Sequence, residues 1–130
     1  MDLSWAIRKN QPIAKTALIV DDHPSFRASA RRMLEADGYA VVGEAQDGSA
    51  ALAAAQRLRP GLVLLDVRLP DVDGFEVARR LLDASGPSPQ IVLVSSHDPI
   101  DFAEAIGASG ARGFVPKAEL SAEAIAVLIR

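Results

Sequence analysis

The apolar run Leu62–Leu65, which ends at the carboxylate of Asp66, constrains the fold of this chain more than any other stretch. A Pro-Gly pair precedes the run and marks a break in regular structure. A short apolar run of this kind predicts a strand buried on both faces, as in a parallel sheet. Open α/β sheets bind ligands at the carboxyl ends of their strands. The sequence therefore predicts that Asp66 lies at the functional site.

The size and composition of the chain exclude several classes of protein. Its 130 residues suffice for one domain with a sizeable core. The lack of cysteine excludes disulfides, thiolate metal ligands and a cysteine nucleophile. No apolar run approaches the ~20 residues of a membrane span, and the N-terminus lacks the pattern of a secretory signal. We therefore expect a cytoplasmic protein with no membrane partner.

Strand-like apolar segments alternate with amphipathic, helix-like segments through most of the chain. We interpret residues 1–15 as a loose N-terminal arm, although Leu3, Trp5 and Ile7 offer apolar side chains that could pack. Residues 16–130 form the predicted domain. Its strands are predicted at Thr16–Val20, Ala40–Val42, Leu62–Asp66, Gln90–Ser95 and Gly113–Val115.

Proline, glycine and aspartate mark the predicted helix ends. Pro24 suits the first turn of the first helix, and Gly38 suits its end. Asp47 is predicted to cap the second helix, and Asp98-Pro99 is predicted to supply the cap and first-turn proline of a weak fourth helix that ends over residues 107–110. Strands joined by helices form a parallel sheet with right-handed crossovers. The sequence therefore predicts an α/β fold: a flavodoxin-like (βα)5 doubly wound parallel sheet with strand order 2-1-3-4-5.

This strand order brings three carboxylates together. Asp21 and Asp22 follow the first strand and Asp66 ends the third, and these two strands are neighbours in the predicted sheet. Two like charges ~4 Å apart repel by about 1 kcal/mol in water and about 4 kcal/mol at an effective dielectric constant of 20. Such a cluster needs a cation, and clustered oxygen ligands suit Mg²⁺.

Two further polar side chains are predicted at the same edge of the sheet. Lys117 follows the fifth strand, and Ser95 ends the fourth. An ammonium group, a hydroxyl and a metal ion together can stabilise the oxygens of a phosphoryl group as it is transferred to Asp66. By contrast, Asp71 and Asp73 are explained by turn and cap chemistry, and His23 and His97 are interpreted as surface or loop residues.

The chain resembles the response-regulator receiver domain (CheY-like) from about Thr16 to Arg130. Individual motifs are weak, but in this order at strand ends they are specific. Asp22-His23-Pro24 and Val41-Val42-Gly43-Glu44 are most similar to receivers of the NarL/FixJ subfamily. The motifs are Leu18-Ile19-Val20-Asp21-Asp22-His23-Pro24, Leu64-Leu65-Asp66, Leu69-Pro70, Asp73-Gly74, Ser95-Ser96 and Phe114-Val115-Pro116-Lys117.

The resemblance implies a role for each residue of the acidic cluster. Asp66 would be the phosphoacceptor and a metal ligand. Asp22 would bind Mg²⁺ directly and Asp21 through water, while the backbone carbonyl of Arg68 would be another ligand. The resemblance also implies that the domain catalyses only its own phosphorylation and dephosphorylation, and is not otherwise an enzyme.

The resemblance further implies a conformational switch. Ser95 and Lys117 would contact the phosphoryl group, helped by the backbone N–H of Ser96, and Phe114 would be the switch aromatic. Phe114 lacks the hydroxyl of the commoner tyrosine, so we expect its inward position to be populated before phosphorylation. Pro116 precedes the lysine, whereas in many receivers a proline follows it.

The partners implied by the resemblance are a histidine kinase or histidine phosphotransfer protein, and a downstream protein. The downstream protein would bind the face formed by the fourth helix, fifth strand and fifth helix, and a homodimer is also allowed. The formal net charge of −3 argues against a nucleic-acid surface, and no helix-turn-helix follows the last helix. We therefore expect no DNA binding by this chain alone.

Two alternatives remain open from the sequence. An Asp-nucleophile phosphatase of related topology would need a second acid two residues after the nucleophile, where this chain has Arg68. The chain could also be either a natural stand-alone receiver or the excised receiver of a DNA-binding regulator.

Overall fold

Five parallel strands form one sheet in the order β2-β1-β3-β4-β5, which confirms the predicted topology. The computed structural model describes residues 15–130. The strands are β1 (Lys15–Val20), β2 (Tyr39–Ala45), β3 (Leu62–Asp66), β4 (Gln90–Ser95) and β5 (Gly113–Pro116). The helices are α1 (Pro24–Ala36), α2 (Gly48–Leu58), α3 (Gly74–Asp83), α4 (Ala103–Ser109) and α5 (Ala122–Ile129), with 3-10 turns at Pro99–Phe102 and Lys117–Glu119.

Helices cover both faces of the sheet, so successive residues of the central strands are buried on opposite sides. On β1, Leu18 and Val20 pack in the cluster with α2, α3 and α4. Ala17 and Ile19 pack in the second cluster, with α1 and α5. All five residues of β3 are buried, which explains its uninterrupted apolar sequence. The chain leaves β1 and β3 towards opposite faces, and this creates a crevice between their carboxyl ends.

The structure lengthens three predicted strands, of which β5 ends at Pro116, one residue beyond the predicted end. β1 begins at Lys15, one residue before the predicted start, and the predicted arm otherwise lies outside the described residues. β2 continues through Gly43 and Glu44 to Ala45. This strand lies at the sheet edge, and its exposed positions alternate with buried or half-buried ones, so a charged residue is tolerated there. The apolar run Ala40–Val42, which predicted β2, therefore covers only three of the seven residues of this strand.

The segment after β4 also differs from the prediction. A 3-10 turn precedes α4, and the Asp98 side chain accepts a hydrogen bond from the N–H of Ile100. Gly107 lies inside α4, while Gly110 ends the helix with φ +81°. That left-handed conformation strains residues with a side chain, which is why the second glycine stops the helix. Within residues 15–130, no helix has the length and apolar character needed to span a membrane.

Candidate functional site

The ends of β1, β3 and β5 bring Asp21, Asp66 and Lys117 together. Both carboxylates are buried, with 0% and 3% of the residue exposed. Lys117 Nζ lies 2.6 Å from Asp21 Oδ2 and 3.3 Å from Asp66 Oδ2. The ammonium group also lies 4.5 Å from the ring centroid of Phe26 on α1, a cation–π contact that the sequence analysis missed. The predicted convergence of these strand ends is therefore present.

The loop after β1 is folded around the carboxylate of Asp21. Its Oδ1 accepts a hydrogen bond from the backbone N–H of His23 at 2.8 Å. The exposed His23 ring places Nδ1 3.0 Å from the same oxygen and 3.1 Å from Asp22 Oδ1. His23 was predicted to be a surface residue, and it is, but its contact with both acids was missed. Its position directly after the acidic pair was the available sequence signal.

This cluster fits a hard divalent cation. Asp21, Asp22, His23 and Asp66 each offer a ligand atom, and these atoms lie within 4.8 Å of one another. Asp21 Oδ2 is buried, and its close contact with Lys117 lacks the geometry of a hydrogen bond. Three carboxylates form the oxygen-rich set that Mg²⁺ prefers, so the chemistry of the donors fits this cation, although Lys117 is paired with Asp21 Oδ2.

The electrostatic environment shifts the pKa values of the two buried acids, Asp21 and Asp66, in opposite directions. Burial raises the pKa of Asp66, and the nearby charge of Asp21 raises it further; the Arg68 N–H and Lys117 offset this only in part. Burial also acts to raise the pKa of Asp21, but Lys117 and His23 outweigh it, so that pKa lies below its usual value. Burial opposes the charge of Lys117, yet the two carboxylates raise its pKa. Of these two acids, Asp66 is therefore the one whose charge the protein stabilises less.

The β3–α3 loop packs tightly against Asp66. Asp66 Oδ1 accepts a hydrogen bond from the N–H of Arg68 at 3.1 Å. A Cβ atom at Gly74 would clash with the carbonyl oxygen of Asp66 and would lie 2.7 Å from the Cα of Val67. Only glycine allows this approach, because both opposing atoms are backbone. The role of the Arg68 carbonyl as a metal ligand remains a prediction.

Two other aspartates of this loop cap helices, as predicted. The Asp71 carboxylate accepts hydrogen bonds from the N–H groups of Gly48 and Ser49, at 2.8 and 2.9 Å, at the start of α2. Asp73 accepts one from the N–H of Glu76 at the start of α3. Asp47 also caps α2, as expected. Asp71 therefore links the loop that follows the candidate phosphoacceptor to a second helix.

Ser95 and Phe114 lie beside the site on neighbouring strands. Ser95 is buried, and its hydroxyl oxygen accepts a hydrogen bond from the N–H of His97 at 3.0 Å. The ring of Phe102 lies 6.2 Å from both the His97 and the Phe114 rings, measured between centroids. Phe114 is half-buried and packs against the α2–α4 cluster. The predicted contact of Ser95 with a phosphoryl group and the switch role of Phe114 remain predictions.

A doubly wound parallel sheet with a buried acid at the end of β3, an acidic pair after β1 and a lysine after β5 defines a receiver-type domain. A family model described as "Response regulator receiver domain" matches residues 17–129, and the chain belongs to this family. It is the receiver domain of a two-component response regulator.

Relatives and solved structures agree with this assignment. A Pseudomonas aeruginosa protein described as a transcriptional regulator is 42% identical over 102 residues, which cover 78% of this chain and 49% of the relative. Response regulator GacA of Pseudomonas viridiflava is 38% identical over 109 residues, 83% of this chain and 50% of the relative. The receiver domain of the Mycobacterium tuberculosis response regulator NarL superposes with a TM-score of 0.78 at 34% identity, covering 90% of this chain and 98% of that domain.

The chain spans about half the length of the curated relatives it matches. These matches give no support to the phosphatase alternative.

Proposed function

We propose that Asp66 accepts a phosphoryl group from a phosphohistidine on a histidine kinase or histidine phosphotransfer protein. A carboxylate oxygen of Asp66 attacks phosphorus, the phosphorus–nitrogen bond breaks, and the leaving imidazole takes up a proton. Hydrolysis follows when water attacks the same phosphorus: the phosphorus–oxygen bond to Asp66 breaks, the Asp66 carboxylate is regenerated and inorganic phosphate is released. The observation that carries this proposal is the buried Asp66 carboxylate, of raised pKa, with Lys117 Nζ 3.3 Å away.

Lys117 has two successive roles in this proposal. It pairs with both buried carboxylates before transfer, and afterwards it donates hydrogen bonds to the phosphoryl oxygens. Its raised pKa keeps it protonated throughout. Asp21, Asp22, Asp66 and the Arg68 carbonyl would hold Mg²⁺. When bound, Mg²⁺ supplies positive charge that neutralises the phosphoryl oxygens during transfer.

The switch is proposed to run through Ser95. A phosphoryl group on Asp66 attracts the Ser95 hydroxyl, because a hydrogen bond to an ionised oxygen is stronger than one between neutral groups. Ser95 then gives up its contact with the His97 N–H. The side chain of Phe114 then changes position together with that of Phe102, whose ring contacts both His97 and Phe114.

The downstream partner is proposed to bind the face formed by α4, β5 and α5. Exposed apolar side chains there or next to it support this choice: Ile100 is 81% exposed and Val127 is 55% exposed. A second copy of the chain could use the same face as a homodimer. We place this signalling in the cytoplasm. The negative charge of the chain supports the expectation that it does not bind DNA alone.

The direct test is incubation with a small acyl phosphate and Mg²⁺, followed by intact-protein mass spectrometry. We expect one phosphoryl group on the wild type and on Asp101→Asn, which changes an exposed carboxylate. Asp66→Asn should take none. Phosphorylation that persists at the wild-type level in Asp66→Asn would overturn the assignment.

The metal site has a separate test in Asp22→Asn. Wild-type protein should melt at a higher temperature in Mg²⁺, because a ligand that binds only the folded state stabilises it. Asp22→Asn should be more stable than wild type without Mg²⁺, since a like charge is removed from the cluster. It should also lose the response to Mg²⁺. An undiminished response would exclude Asp22 as a ligand.

A further inference from the structure

Arg27 connects the acidic cluster to two other elements of the fold. It lies on α1, and its side chain is only 16% exposed. Its Nη1–H donates to the backbone carbonyl of Asp21 at 2.6 Å, and its Nε–H donates to Glu44 Oε1 at 3.0 Å. One guanidinium group therefore joins α1, the end of β1 and the edge strand β2.

Glu44 keeps this guanidinium group in place. Its second carboxylate oxygen accepts a hydrogen bond from Nε of Arg31 at 2.8 Å. Arg31 also lies 3.4 Å from Glu35 Oε2, one turn further along α1. Both arginines thus bind the same carboxylate, but of the two only Arg27 donates to the Asp21 carbonyl, whereas Arg31 binds Glu44 and Glu35.

The carbonyl that Arg27 binds belongs to the peptide joining Asp21 to Asp22. The other backbone group of Asp21, its N–H, donates to the carbonyl of Ala45 on β2 at 3.0 Å. The Asp21 side chain is held by the His23 N–H. Arg27 therefore supplies the bond to the carbonyl of the Asp21–Asp22 peptide, while the other two bonds hold the N–H and the carboxylate of Asp21.

We infer that Arg27 is a positioning residue, which holds the Asp21–Asp22 peptide so that both carboxylates face one divalent cation. This inference rests on the proposed function, because it concerns the metal site used for phosphorylation of Asp66. The charge of Arg27 acts in the opposite direction: a cation near the site repels Mg²⁺. Loss of charge alone would strengthen Mg²⁺ binding, whereas loss of the positioning contact weakens it.

The test compares Arg27→Met with Arg31→Met. Both changes remove one positive charge and one partner of Glu44 while keeping an unbranched apolar side chain. Mg²⁺ titrations followed by the backbone amide resonances give the dissociation constant of each protein. We expect Arg27→Met to bind Mg²⁺ about tenfold more weakly than wild type, which corresponds to ~1.4 kcal/mol. Arg31→Met should bind as wild type or more tightly.

The same spectra supply a readout that general destabilisation does not move. The amide resonance of Asp22 should shift in metal-free Arg27→Met, because its own peptide carbonyl loses a hydrogen bond, and should stay in place in Arg31→Met. If Arg27→Met fails to fold, Glu44→Gln takes its place, with a smaller Asp22 shift and weaker Mg²⁺ binding expected.

The outcomes separate this inference from the proposed function. If wild type binds Mg²⁺ and is phosphorylated, but the two arginine variants have equal affinities and equal Asp22 shifts, the positioning role of Arg27 is wrong and the proposed function stands. If wild type neither binds Mg²⁺ nor takes up phosphate, both are overturned.

Discussion

The ammonium group of Lys117 lies 2.6 Å from the carboxylate of Asp21, closer than its 3.3 Å distance to the carboxylate of Asp66. The sequence analysis linked this lysine to a phosphoryl group on Asp66. The structure adds that it pairs with Asp21, the fully buried acid that directly follows β1. One half-buried cation between two buried carboxylates offsets their mutual repulsion, which is about 4 kcal/mol for charges ~4 Å apart at an effective dielectric constant of 20.

Lys117→Met should destabilise the metal-free protein at neutral pH. Removal of one partner from a buried ion pair leaves the other charge uncompensated and typically costs about 3 kcal/mol. Mg²⁺ should recover part of this loss, because it binds the same carboxylates. Urea unfolding with and without Mg²⁺ measures both effects.

Lys15→Met is the control: its pair with Asp37 is 3.7 Å long and about half exposed, so its loss should cost less than about 1 kcal/mol. Equal losses in the two variants would contradict the pairing role of Lys117.

Asp66→Asn should be more stable than wild type at pH 7 without Mg²⁺, by an amount that depends on pH. Burial raises the pKa of Asp66 above its ordinary value of 3.8, so the folded state holds this proton more tightly than the unfolded state. The stabilising contribution of the protonated acid is complete below pH 3.8 and is lost as the pH rises through the raised pKa. The difference between Asp66→Asn and wild type should therefore shrink on acidification. Urea unfolding at a series of pH values tests this. A stability difference between Asp66→Asn and wild type that grew towards low pH would contradict the prediction.

Gly74→Ala should lose at least about 2 kcal/mol of stability, because the new Cβ meets backbone atoms that cannot rotate away. The atoms in question are the carbonyl oxygen of Asp66 and the Cα of Val67. Phosphorylation should slow as well, since relief of the clash displaces Asp66.

Gly107→Ala is a matched control in α4, where nothing lies within 4 Å of the added atom. That change should stabilise the protein by up to about 1 kcal/mol through helix propensity. Thermal or urea unfolding distinguishes the two, and similar effects would disprove the close packing at Gly74.

Ser95→Ala should still accept a phosphoryl group but lose most of the structural response to it. The Ser95 hydroxyl is the group proposed to move from the His97 N–H towards the phosphoryl oxygens. NMR spectra of the phosphorylated and unphosphorylated proteins report this response at the ring of Phe114. Ser96→Ala, which changes the exposed neighbouring serine, should respond as wild type. A full response in Ser95→Ala would show that the coupling does not pass through this hydroxyl.

The sequence by itself determined the strand order and the edge of the sheet that carries the site. Apolar runs bounded by glycine, proline and acidic residues are local signals. The uninterrupted apolar run of β3 predicts burial on both faces of the strand, and helices do cover both faces of the sheet. From the strand order it followed that Asp21, Asp66 and Lys117 meet, because the carboxyl ends of parallel strands lie at one edge. Helix caps such as Asp47 were also predictable, since the acceptor and the donor lie three residues apart.

Only the tertiary structure decided which side chains contact each other within the site. The contact of Arg27 with the Asp21 carbonyl and the cap that Asp71 provides for α2 join groups on different elements, whose rotamers depend on how those elements pack. The ion pair of Lys117 with Asp21 spans 96 residues of sequence and reaches past two intervening strands. Such contacts depend on distances between packed elements, which hydrophobic periodicity does not encode.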